Sequence, residues 1–269
     1  ADPSAPASYQ ERPSDLGPIE LAGYALEANP EPGQELPLTL TWSAQEIPPG
    51  TYSSFVHLVD AGGTSWAQDD GPPLGELYPT TSWRPGEMVR DRKNLSLPVD
   101  LPDGLYRLDV GMYDPASPGH SPDRVTLDFV RIGTEPVPPT DLTPSGVILG
   151  EQIQLQGYAL VPTDKGAWTL TLAWAAEDQV QNVYSAFVHL VDETGEIQAQ
   201  HDGPPGGGFY PTSFWRQGDV VMDQHTLSLA DDTPAGAYRL LVGLYQPETG
   251  ERLTTPEGDH LELETWTIP

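Results

Sequence analysis

Residues 52–60 read YSSFVHLVD, and residues 184–192 read YSAFVHLVD. A single difference, Ser54 against Ala186, separates two stretches that lie 132 residues apart. Near-identity at a long fixed offset marks a duplicated structural unit. The stretch is apolar on both alternation faces, as a central strand covered on both sides must be. It runs into DAGG (60–63) or DETG (192–195), a hairpin signal with glycine at a left-handed position.

The same offset holds along most of the chain. Trp42 meets Trp174, DGPP at 70–73 meets DGPP at 202–205, and GLYRLDVGMYDP at 104–115 meets GAYRLLVGLYQP at 236–247. GYAL at 23–26 returns at 157–160, and Ile132 finds Ile268, so short insertions fall between strands. In LPLTLTWSA, Leu38, Leu40 and Trp42 alternate with polar residues, and Leu170, Leu172 and Trp174 repeat the pattern. That is one buried face and one wet face. The 269 residues include 30 Pro and 27 Gly, and no window holds a helical period. The prediction is an all-β chain of two homologous tandem β-sandwich domains with seven or so strands each. Spacing leaves open whether each is immunoglobulin-like or a jelly roll.

Four prolines in GTEPVPPTDLTPSG (133–146) predict an extended connector. The expected organisation is a disordered leader at 1–17, module 1 at 18–133, a Pro-rich linker at 134–148 and module 2 at 149–269. The leading ADP reads as a scar of processing or expression.

The formal charge is −28, from 12 Lys and Arg against 40 Asp and Glu. Such a field repels nucleic acid and anionic membrane surfaces. No cofactor is expected; Ca²⁺ held by carboxylates is the alternative, although no EF-hand spacing occurs. Cysteine is absent, which removes disulfides and thiolate chemistry. No run is long enough to span a membrane, so direct insertion of this segment is not expected.

Two motif sets carry candidate chemistry. ELYPTTSWRPGEM (76–88) and GFYPTSFWRQGDV (208–220) place Tyr78 with Trp83, and Tyr210 with Trp215, in Pro- and Gly-rich loops. The tryptophans either plug an end of each sandwich or stack on sugar rings. Phe209 and Phe214 add aromatic area in the second copy, so module 2 is the better candidate surface. The second set is polar: His57, Asp70 and Asp91, with His189, Asp202 and Asp223. Sharing a face with Phe55 and Val59, His57 is expected inside the sandwich or between strands. The set reads as a His–Asp hydrogen bond at the loop base or as a cation site. No metal site is committed, since a second histidine is missing from each set. G-x-S-x-G, H-E-x-x-H, P-loop and dinucleotide motifs are all lacking, so no catalytic residue is assigned.

Taken together, F-V-H-L-V-D, Q-x-D-G-P-P, Y-P-T-x-x-W-x-x-G-x-x-V-x-D and G-x-Y-R-L-x-V-G-x-Y resemble a module of bacterial envelope proteins. That module follows the multi-spanning part of membrane glycosyltransferase-like proteins or stands in uncharacterised surface proteins. The resemblance covers about 19–132 and 153–268. It implies an extracytoplasmic location and attachment to something larger, with the membrane-spanning remainder of a parent protein as one partner. It does not imply that this stretch transfers sugars. The expected function is non-catalytic binding of glycan or another envelope component through the aromatic loops. The alternatives are a structural spacer or assembly module without its own ligand and, third, a hydrolase using His57 or His189.

Overall fold

A computed structural model describes residues 9–26, 30–117, 123–134, 139–163, 167–230 and 233–268. The chain separates into two units, Ala1–Glu135 and Pro136–Pro269.

In unit 1 the strands are β1 (Tyr9–Asp15), β2 (Ile19–Leu26), β3 (Glu35–Ala44), β4 (Ser53–Val59), β5 (Ser65–Gly71), β6 (Met88–Ser96), β7 (Gly104–Tyr113) and β8 (Asp123–Ile132). One sheet has the order β1-β2-β3-β6 and the other β5-β4-β7-β8, all neighbours antiparallel. Unit 2 repeats this with β9 (Thr143–Leu149), β10 (Ile153–Pro162), β11 (Ala167–Ala176), β12 (Ser185–Val191), β13 (Ile197–Gln200), β14 (Val220–Ser228), β15 (Gly236–Tyr245) and β16 (Leu261–Ile268). Its sheets run β9-β10-β11-β14 and β13-β12-β15-β16.

The chain crosses between sheets after the third, fifth and sixth strands of each unit. This is an immunoglobulin-like order, with the fourth strand of the usual seven at the edge of the C-F-G sheet. A second hallmark is the tyrosine corner at the start of the F strand. Tyr106 donates its hydroxyl to Pro102 O at 2.8 Å, and Tyr238 to Pro234 O at 2.6 Å. The sequence choice between immunoglobulin-like and jelly-roll order is thereby decided.

Each core forms by alternation. In unit 1, Leu36, Leu38, Leu40 and Trp42 of β3 face Val56 and Leu58 of β4 and Leu108 and Val110 of β7, all buried. Burying about 25 cal/mol per Å² of apolar area drives this closure.

Two expectations need correction. Residues 9–15 of the expected leader form β1, and 143–148 of the expected linker belong to β9. Pro13 and Pro144 misled the reading. Both lie in edge strands, where a missing N–H is tolerated, and Pro13 falls at a register shift between Glu11 and Ser14. Among the described residues each unit therefore has eight strands, against the seven or so expected. Residues 1–8 and 135–138 lie outside the described residues. Gly157 explains the repeated GYAL: a Cβ there would stand 2.8 Å from Thr143 O, so β9 approaches β10 closely only over glycine. Among the described residues no helix is long and apolar enough to cross a membrane.

Candidate functional site

The aromatic loop follows the fifth strand and leads into the sixth. It closes on itself in the same way twice. Trp83 and Trp215 are 1% and 0% exposed. The indole Nε1 of Trp83 donates to Tyr78 O at 3.4 Å, and that of Trp215 to Tyr210 O at 3.0 Å. Tyr78 donates to Glu87 Oε1 at 2.7 Å, and Tyr210 to Asp219 Oδ2 at 2.5 Å. The same carboxylates accept from the backbone N–H of Arg84 (3.0 Å) and Arg216 (2.8 Å). The Tyr78 hydroxyl beside Glu87 holds its carboxyl below the usual range, and Glu87 in turn raises the tyrosine.

Buried Thr80 and Thr212 then pin the loop to the sheet. Thr80 Oγ1 accepts from Tyr52 N at 2.9 Å and donates to Gly50 O at 2.8 Å. Thr212 does the same with Tyr184 N and Asn182 O, at 2.7 and 2.8 Å. Sequence reasoning passed over these threonines, although both copies of Y-P-T carried them.

The sugar-stacking expectation is therefore corrected for Trp83, Trp215 and Tyr210. A buried ring closed into its own loop offers no face to a ligand. Tyr78, Phe209 and Phe214 are half-buried.

The expected His–Asp–Asp sets divide. His57 Nε2 lies 3.1 Å from Asp70 Oδ1, and His189 Nε2 lies 3.1 Å from Asp202 Oδ1. These pairs sit on the outer face of their sheet, against Phe55 and Phe187, with ring centroids 4.8 and 5.0 Å apart. Of the two expected places, between strands holds for His57, which pairs with Asp70 across β4 and β5, and inside the sandwich does not. Phe55 and Phe187 are buried on the outer face, where Arg252 covers the Phe187 ring at 4.2 Å, so parity counted from them inverts inside and outside.

Asp91 and Asp223 point the other way, into the sandwich, and do not meet the histidines. Trp42 Nε1 reaches Asp91 Oδ2 at 3.4 Å, and Trp174 Nε1 reaches Asp223 Oδ2 at 3.1 Å. Beyond that shared contact the units differ. In unit 1, Ser54 donates to Asp91 at 2.6 Å, and Lys93, only 5% exposed, has Nζ 3.7 Å from Asp91 and 3.9 Å from Asp69. In unit 2, His225 stands where Lys93 does, and His201 where Asp69 does. His225 Nε2 lies 2.8 Å from Asp223, and its Nδ1 lies 2.8 Å from His201 Nδ1. One of those two Nδ1 atoms donates and the other accepts. The exchange of Lys93 and Asp69 for two histidines at the common offset was visible in the sequence as a paired change.

The loop cover differs as well. In unit 2 the turn Pro205–Gly208 packs on β14, and Gly206 N donates to Asp223 Oδ1 at 3.1 Å. A Cβ on Gly206 would stand 3.0 Å from the Val221 side chain, at a φ of +62°. Unit 1 has Leu74 in that place, at φ 55° and 47% exposed. A cavity of about 500 Å³ is left between β5 and β6, lined by Asp69, Pro72, Leu74 and the chain from Arg90 to Lys93.

Among the described residues no group of three His, Asp or Glu is placed to hold a metal ion. No family model and no curated protein matches the chain. Among solved structures it is similar to a mutant of Salmonella alpha-2-macroglobulin, at 12% identity and a TM-score of 0.28. The similarity covers 98% of this chain and 16% of that one, so the chain spans about a sixth of that protein's length.

Proposed function

We propose that this chain is a non-catalytic, extracytoplasmic spacer or assembly part of a larger envelope protein. The observation that supports this reading is the use made of the repeated motif. In both units the Trp bonds to the Tyr and the Tyr to the loop carboxylate, while the Thr ties the loop to the backbone before the fourth strand. The tryptophans and threonines are buried, so they serve cohesion and offer no face to a ligand. The outer-face histidines likewise pair with one aspartate and lean on a phenylalanine, an arrangement that fixes a strand surface. Attachment to a membrane-spanning remainder rests on the motif resemblance alone.

A second reading keeps glycan contact in unit 2, because Phe209 and Phe214 retain partial exposure. A glycan array separates the two. The spacer reading expects the intact chain to retain no glycan. Retention by the wild type that disappears in Phe209→Ala/Phe214→Ala, with folding intact, overturns it in favour of the second.

A further inference from the structure

β1 and β8 are outer strands of their two sheets, as β9 and β16 are in unit 2. β1 and β9 carry a bulge at the same place. Arg12 and Pro13 lie between the pairs Glu11 with Gly23 and Ser14 with Leu21. Ser145 and Gly146 lie between the pairs Pro144 with Gly157 and Val147 with Leu155. Gly23 and Gly157 are the repeated glycines of GYAL, so Ser145 stands where Arg12 does.

In unit 1 the chain itself bridges the two outer strands at this point. Arg12 Nη2 donates to Thr126 O of β8 at 3.3 Å. Thr126 and Glu262 are equivalent, since they pair with Asp109 and Leu241 at the common offset. A serine is too short to make the same crossing. In unit 2 a cleft of about 270 Å³ lies between β9 and β16, lined in part by Pro144, Ser145, Val147, Tyr158, Glu257 and Glu262.

The walls suit one long cationic side chain. Pro144, Val147 and Tyr158 offer apolar surface to a methylene stem. Tyr158 donates its own hydroxyl to Leu263 O at 3.0 Å. Glu257 sets an exposed carboxylate at the rim. The Glu262 carboxylate lies 3.6 Å from Arg239, so Glu257 and the Glu262 carbonyl carry the recognition. The volume falls just under the roughly 300–1,000 Å³ of pockets that take drug-sized ligands, which favours a side chain over a free cofactor. A chain of −28 draws basic segments toward it.

We propose that the cleft between β9 and β16 of unit 2 receives an arginine side chain from a basic segment of a partner protein. The incoming guanidinium takes the part that Arg12 plays within unit 1. Its planar fork serves a main-chain carbonyl and a carboxylate together, and an ammonium has no such fixed pair of donors. The contact adds a partner to the spacer reading, which the glycan array tests separately and which stands unchanged if the cleft binds nothing.

The test is an NMR titration of the full chain with the end-blocked peptide Gly-Ser-Arg-Ser-Gly. Saturable amide shifts are expected at Ser145, Val147, Glu257 and Leu263, and none at Arg12 or Thr126. The lysine counterpart binds about tenfold more weakly, and the neutral citrulline counterpart does not bind. Ser145→Arg supplies the side chain from within, as unit 1 does, and abolishes saturable binding without lowering the unit 2 melt. Glu257→Arg alters an exposed position, keeps the wild-type melt and weakens binding about tenfold. Shifts spread over the acidic surface without saturation overturn the proposal, as does equal binding of the lysine peptide. So does binding that persists in both variants, or self-association of the chain through β9 and β16.

Discussion

The interior of unit 1 and the interior of unit 2 meet the same structural demand with different chemistry. Both bury an aspartate under a tryptophan indole at the same point of the sandwich. Unit 1 balances that carboxylate with Lys93 and Asp69, and unit 2 with His225 and His201. An ammonium offers three donors and no acceptor, whereas a neutral imidazole donates at one nitrogen and accepts at the other. Next to this site, unit 2 lays a glycine-rich turn over the sheet edge and unit 1 leaves a groove. What the duplication holds fixed is the frame: strand order, tyrosine corner and the Trp–Tyr–Thr loop. What it lets drift is the polar interior and the cover of one edge, and those are where the two copies acquire separate properties.

The sharpest way to break this comparison is to remove the shared plug. Trp215→Ala should destabilise unit 2 by about 3–5 kcal/mol, as large aromatic deletions in cores do. In a denaturant melt followed by unit-specific probes, the unit 1 transition should stay in place. Movement of both transitions together would show that the units are not energetically separate.

The next largest effect separates the two interiors. Asp91→Ala leaves the Lys93 ammonium buried with Asp69 as its one carboxylate among the described residues, beside the carbonyls of Ser54 and Gly71, and about 3 kcal/mol should be lost. Asp223→Ala leaves His225 its contact with His201 and strands no buried ammonium, so the loss should be smaller, about 1–2 kcal/mol. Equal losses measured at neutral pH would remove the distinction between the copies.

Thr80→Val and Thr212→Val test the shared loop. Each leaves a backbone N–H and a carbonyl without the hydroxyl that serves both, at about 1–3 kcal/mol. Similar shifts in the two melts are expected, and a large difference would show that one loop is pinned by other means.

The smallest effect is one of pH. The Glu87 carboxyl titrates below its ordinary value because Tyr78 donates to it. A lowered carboxylate stabilises above the unfolded value, and that contribution disappears as pH falls through the folded one. Tyr78→Phe should therefore lower the unit 1 melt at neutral pH and flatten its acid limb, so that variant and wild type converge as pH falls. An unchanged acid limb would mean that the pair contributes nothing to folding.

Much of this molecule was legible in its residues, for a physical reason. Strand alternation and turn chemistry are local, and Leu38, Leu40 and Trp42 point inward wherever β3 is placed. A repeat at an offset of 132 multiplies every such signal, so the two-sandwich frame could be read directly. Prolines gave the wrong answer at β1 and β9. Whether an edge strand forms depends on a neighbour being there to pair with, and Pro13 says nothing about that.

The candidate site lay further out of reach. The sequence by itself determined the duplicated all-β frame, the acidic surface, the absence of cysteine chemistry and the paired exchange of Lys93 and Asp69 for His225 and His201. Only the tertiary structure decided which way each polar side chain faces. His57 and Asp91 belong to opposite sheets, and Phe55 is buried on an outer face, so no count along one strand could separate them. It also decided that the aromatic loops close on themselves and that a glycine turn packs on β14 where unit 1 leaves a cavity beside β6. Burial and edge cover are set by what packs across from a residue, and that partner is distant in the chain.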